Sequence, residues 1–157
     1  MFALPEPESS TQMKTTIRRE TSQGDMNTEA VFIPTTGSEE ELALAAYLAS
    51  LADPSRQGKL LSKAAFKKIG PIQLPSHFDL ISASPASDLS GVDLKHSKFR
   101  EGTLESIEKW IRKVGGHIHS QVHIVVRQIV GRGDRAIVIA SEKIVLGVVI
   151  LKAVKSI

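Results

Sequence analysis

The chain has 157 residues, room for one domain with a tail and for a core that hides roughly two thirds of its unfolded surface. Apolar residues make up 41%, charged residues 24% and aromatics only 4%, so the core must be aliphatic and few rings remain for binding by stacking. The absence of cysteine excludes a disulfide framework, a thiolate metal site and a cysteine nucleophile; the mild net charge of +3 permits an anionic partner without specifying one, and no nucleic-acid partner is expected; no apolar run reaches the ~20 residues of a membrane helix.

Residues 1–28 are rich in Ser, Thr, Gln and Glu and read as a mobile polar tail. The start Met1-Phe2-Ala3-Leu4-Pro5 lacks the charged and apolar regions of a secretion signal, which points to the cytoplasm. Ala30-Val31-Phe32-Ile33 is a short strand, stopped by Pro34 and Gly37. Ser38-Glu39-Glu40-Glu41 is a capping box, with three acids at the positive end of the helix it opens. Leu42, Ala45, Ala46, Ala49 and Leu48 give that helix an apolar face. Asp53-Pro54 predicts a second start, with Asp53 as N-cap and Pro54 at the first helical position. This helix runs to Ile69 before Gly70-Pro71, and Lys59, Lys63, Lys67 and Lys68 form its solvated face.

Phe78 to Ala83 alternates as a strand, and Ser84-Pro85-Ala86-Ser87 is a loop. Gly91-Val92-Asp93-Leu94 and Lys98-Phe99-Arg100 predict a hairpin. Thr103 caps a helix with Leu104, Ile107, Trp110, Ile111 and Val114 at helical spacing, ended by Gly115-Gly116. Ser120 caps a fourth helix through Val122, Val125, Val126 and Ile129. Two β-branched runs, Ala136 to Ile139 and Ile144 to Leu151, form a hairpin across Ser141-Glu142-Lys143. Strand runs broken by helix pairs predict an α+β fold: an antiparallel sheet of about six strands flanked by two helix pairs.

Four segments carry a resemblance to a known family. They are Ala46 to Asp53, Leu89-Ser90-Gly91-Val92-Asp93-Leu94, Arg100-Glu101-Gly102, and Leu146 to Lys152. In this order and spacing, from about Phe32 to Lys155, the chain resembles the nucleotide-binding (N) domain of P-type ATPases. The B subunit of the bacterial Kdp potassium pump is the member that it resembles. Residues 29–157 are the matching domain.

The resemblance implies a site with altered residues. In that family the phosphate-accepting aspartate stands in Asp-Lys-Thr-Gly-Thr ahead of the domain. An ungapped alignment through Phe32-Ile33-Pro34 puts Ile17 there, and no Asp-Lys-Thr-Gly occurs in this sequence. The chain also stops before the family's second catalytic half, so it is expected to be no enzyme, and the Met1 start is expected to mark a complete product. The family stacks adenine on a phenylalanine seven residues before Ser-Gly, where Ala83 stands here; Phe78 is the nearest ring and is expected to face the core. Base stacking on a ring is worth on the order of 1–3 kcal/mol, so its loss costs roughly 5- to 150-fold in affinity. The family's Lys-Gly becomes Glu101-Gly102, an anion expected to repel a polyphosphate. Arg100 is adjacent, but neighbours on a strand face opposite ways. Asp53, Gly58, Ser90, Gly91 and Gly102 match family positions, although Gln57 replaces the glutamate before Gly58.

Two readings stay open. One is a standalone, non-catalytic N-domain-like module that binds a partner protein, with no confident cofactor. The other is a residual ATP/ADP-binding domain built from Asp53, Gly58, Ser90, Gly91, Arg100 and Gly102. His117, His119 and His123 form the one metal-like cluster and lack a carboxylate or cysteine to complete a set. Gly131-Arg132-Gly133-Asp134-Arg135 lacks the Gly-Lys-Ser/Thr of a phosphate loop and reads as a helix-to-strand turn.

Overall fold

The computed structural model describes residues 28–84 and 88–153. The polar tail, Ile17, the Pro85-Ala86-Ser87 part of the predicted loop and residues 154–157 lie outside the described residues.

Six strands form one sheet: β1 (Thr28–Pro34), β2 (Asp79–Ile81), β3 (Ser90–Asp93), β4 (Lys98–Gly102), β5 (Arg135–Ser141) and β6 (Ile144–Ala153). Their order is β1-β6-β5-β4-β3-β2, with every pair antiparallel. Four helices flank it: α1 (Glu39–Ser50), α2 (Arg56–Ile69), α3 (Leu104–Lys113) and α4 (Ser120–Gly131). The α+β architecture and the element order agree with the pattern read from sequence.

Alternation along the central strands builds two cores, one on each side of the sheet. Phe32, Ile137, Ile139 and Val149 pack against Leu42, Ala43, Ala46, Leu61 and Ala65 of α1 and α2. Val138, Ala140, Val148 and Ile150 pack against Ile107 and Ile111 of α3 and Val122 and Ile129 of α4. Small alanines along α1 let its backbone lie close to the sheet. Each fully buried Leu or Ile contributes about 1.5–3 kcal/mol, and Leu42, Leu61, Ile107 and Ile111 are all wholly enclosed.

Several local expectations need correction. The N-cap of α2 is Ser55, whose hydroxyl accepts from the Gly58 amide, not Asp53. Asp53 instead accepts from the Ser55 amide through Oδ1 at 3.0 Å, an Asx-type turn that presents Ser55 to the helix. At α4 the N-cap is His119, with no side-chain bond, and Ser120 is the first helical residue. Strand β2 covers only Asp79–Ile81, and Phe78 is exposed, not turned into the core. Strand β1 spans Thr28–Pro34, longer than the Ala30 to Ile33 run read from sequence. The capping box at Ser38, the Thr103 cap and the β5–β6 hairpin form as expected. That hairpin turns on Glu142, in the left-handed region at φ 46°.

Candidate functional site

The β3–β4 register decides which of the singled-out residues meet. Ser90 pairs with Glu101 and Gly91 with Arg100, so adjacent residues project to opposite faces of the sheet. Ser90 and Glu101 face the α1–α2 layer, where Asp53 closes the turn between those helices. Gly91 and Arg100 face the α3 layer. The structure therefore gathers Asp53, Gly58, Ser90 and Glu101, and separates Arg100 from them.

Glu101 is the centre of the gathered set and is only 1% exposed. Its Oε2 accepts from the Ser90 hydroxyl at 2.7 Å. Its Oε1 is buried and receives no N–H or O–H. Burial pushes the carboxyl up to about 8, helped by the contact with the Asp53 carboxyl and by the negative charges of Asp53 and Asp88; the Ser90 bond acts against this. A proton on Glu101 turns the contact into an O–H···O⁻ bond towards Asp53, the short and strong type. For Asp53, burial also favours the neutral form, but the bonds from Glu101 and from the Ser55 hydroxyl and amide outweigh it and hold it below its usual range. The two acids are driven apart and share one proton, as close carboxyl pairs do.

The expected repulsion at Glu101 thus needs revision. At neutral pH the carboxyl is mostly protonated, and it lies under the surface. Glu101 is thus a buried, largely neutral group.

The glycines have reasons within the fold. A Cβ on Gly58 would lie 2.2 Å from the Asp53 carbonyl oxygen and 2.6 Å from its Cγ, so Gly58 lets the first turn of α2 press against Asp53. A Cβ on Gly91 would lie 1.9 Å from the Phe99 carbonyl oxygen. Gly102 sits beside Leu89 and Asp88. Ala83 is exposed, beyond the end of β2.

Arg100 is engaged elsewhere. Its guanidinium donates to Asp93 Oδ1 at 2.8 Å and stacks 4.9 Å from the Trp110 ring centre, with 7% of the residue exposed. Sequence reasoning missed this Arg100–Trp110–Asp93 arrangement and the Asp53–Glu101 pair. Asp93, two residues after Gly91 on the same strand, was the only local hint of a partner for Arg100. Nothing local signals the acid pair.

On the far side of the sheet, His123 lies 3.6 Å from Glu108, which also binds Arg112 at 2.9 Å. Among the described residues no group of three or more His, Cys, Asp or Glu is arranged to hold a metal ion. Residues 132–134 connect α4 to β5, with Gly133 at φ 86°. Among the described residues no helix is long and apolar enough to cross a membrane.

Comparison with known proteins gives one consistent answer. The chain is 35% identical over 125 residues to the potassium-transporting ATPase ATP-binding subunit of Clostridium perfringens, covering 77% of this chain and 18% of that subunit. It is 36% identical over 129 residues to the subunit of the same name from Dechloromonas aromatica, covering 78% and 18%. The chain therefore spans less than a fifth of the length of these curated relatives. Among solved structures it is similar to the N-domain of HMA6, a copper-transporting P-type ATPase, at TM-score 0.52 and 15% identity, covering 80% of this chain and 99% of that one. A zinc-transporting PIB-type ATPase in its E2.Pi state matches at TM-score 0.63 and 14% identity, covering 83% and 20%. No protein-family model matches the chain.

Proposed function

From the chain's homology to the ATP-binding subunit of potassium-transporting ATPases and its P-type ATPase N-domain fold, we propose that it is a non-catalytic N-domain module. Its adenine-nucleotide site is occupied from within, and it works by contact with another protein. The observation that carries this reading is the Glu101 carboxyl. It stands where the resembled family places a lysine, and it is bonded to Ser90 and Asp53 instead of facing a ligand. The missing ring at Ala83 and the Ile17 alignment support it. The glycines that match the family also support it, because Gly58 and Gly91 are required by neighbouring backbone without any nucleotide.

A family nucleotide site needs a ring for the base and a cation for the phosphates. Neither is present at the matching positions, and Arg100 is turned to the other face. The expected affinity for ATP is correspondingly low. The cytoplasm is the compartment that fits this reading, with residues 29–157 as the working domain.

Titrating Mg-free ATP to millimolar concentration into isotopically labelled protein tests the proposal. Amide shifts at Asp53, Ser90, Gly91 and Gly102 that fail to saturate agree with it. Saturable shifts at those amides favour the second reading, a residual ATP/ADP-binding domain.

A further inference from the structure

The outward face of α2 carries a feature that helix stability does not explain. Arg56, Lys59, Lys63, Phe66 and Lys67 are all exposed, and their spacing places them along one side of the helix. No acidic residue occurs between positions 56 and 69. Cations in the last turn favour the helix dipole, which accounts for Lys67 and Lys68. A cation in the first turn opposes it, yet Lys59 stands there, and the first turn of α2 contains no acid. Helix α1 shows the arrangement that stability favours, with Glu39, Glu40 and Glu41 in its first turn. Phe66 is 46% exposed amid this charge, in a chain with few aromatic residues.

We propose that this face of α2 docks an acidic segment of a partner protein, with an apolar side chain of that segment seated on Phe66. The inference rests on the reading that the domain works through protein contact, and it names the surface and the partner's chemistry. Charge complementarity supplies the attraction, and an exposed ring among cations supplies the anchor. A short acidic segment fits better than an extended polyanion. The helix is about 21 Å long at 1.5 Å per residue, and Lys68 binds Glu39 at 2.7 Å, which sets the acidic start of α1 beside the C-terminal end of α2. A duplex or a charged membrane passing along α2 would meet those acids.

The test uses the full chain and a synthetic helical peptide with glutamates and leucines on one face. Amide shifts are followed during titration, at low and high salt. The expected result is saturable shifts centred on Lys59, Lys63, Phe66 and Lys67, weakening as salt rises. Lys59→Glu and Phe66→Ser should each lower affinity roughly tenfold. Lys59→Glu puts an acid in the first turn, so the variant stays folded and its melting temperature does not fall. Binding that saturates but is unchanged in both variants overturns this surface while leaving protein contact intact. Absence of peptide binding overturns the proposal, and the ATP titration then decides separately whether the nucleotide reading stands. Tighter binding of duplex DNA, or of vesicles of phosphatidylserine and phosphatidylcholine, through the same residues also overturns it.

Discussion

Glu101 and Asp53 bring two carboxyl groups into hydrogen-bond contact from chain positions that share no element: the fourth strand and the turn between the first two helices. The contact joins the helical layer to the sheet through a single proton. Its behaviour with pH is a direct consequence.

Stability should fall as pH rises across the neutral range. Glu101 ionises near 4.5 when unfolded and near 8 when folded. Between those values the folded chain binds the extra proton, so raising pH favours unfolding, and the effect levels off above about 8. Asp53 acts in the other direction: its folded value is depressed, so its contribution is lost only as pH falls below its unfolded value near 3.8. Glu101→Gln keeps a donor towards Asp53 without the titration. The variant should exceed the parent by about 1–3 kcal/mol at pH 8 and lose the slope between pH 5 and 8. Urea melts across that range measure both.

Removing the Ser90 hydroxyl should cost about 1–2 kcal/mol, because Ser90→Ala leaves Glu101 Oε2 buried without its donor. The same bond holds the Glu101 pKa down, so the variant should titrate at a higher pH than the parent. Carboxyl carbon shifts followed by NMR distinguish this from simple loss of packing.

Gly58→Ala should destabilise despite the better helix propensity of alanine. The added methyl would meet Asp53 backbone and side-chain atoms at 2.2–2.6 Å, and the turn must move away from Glu101. A loss of about 1–3 kcal/mol is expected by thermal or urea melting. A gain in stability would show that the turn is free to shift.

Arg100→Ala should cost about 1–3 kcal/mol through lost contact with Asp93 and Trp110. It should leave ATP shifts at Ser90 and Asp53 unaltered, because the side chain lies on the opposite face. A changed ATP response would place Arg100 in the site after all.

Combining Ala83→Phe with Glu101→Lys supplies the ring and cation that the resembled family has. The new ammonium would meet the Asp53 carboxylate, so the variant should fold. Saturable ATP binding in the low-millimolar range or tighter is expected. A folded variant that still ignores ATP would show that the cleft itself has been remodelled.

The order of elements was legible because the core follows simple periods. Leu42, Ala46 and Ala49 mark the helical repeat of α1, and Ile137 to Ala140 supplies both faces of β5 in one aliphatic run. Helix starts were less legible where two capping residues lie close together. Asp53 and Ser55 both cap well, and the contact of Asp53 with Glu101 leaves the capping to Ser55. At α4, Ser120 looks like a cap, but the chain enters the helix one residue sooner. The alternation in Phe78 to Ala83 promised a longer strand than an edge position sustains, since β2 has a neighbour on one side only. Which candidate residues meet was the least legible, because it depends on which face of β4 each side chain takes and on a partner 48 residues away. Composition carries neither.

The first strand works as a hem. Strand β6 is almost wholly aliphatic from Ile144 to Leu151, and β1 covers its outer side over seven pairs from Thr28 to Pro34. Trimming the protein to begin at the capping box would bare that long greasy border, with its free amides and carbonyls, to any similar strand nearby. Shortened versions made for crystals or binding assays should therefore keep Thr28 to Pro34, or they will stick to one another before they can be measured.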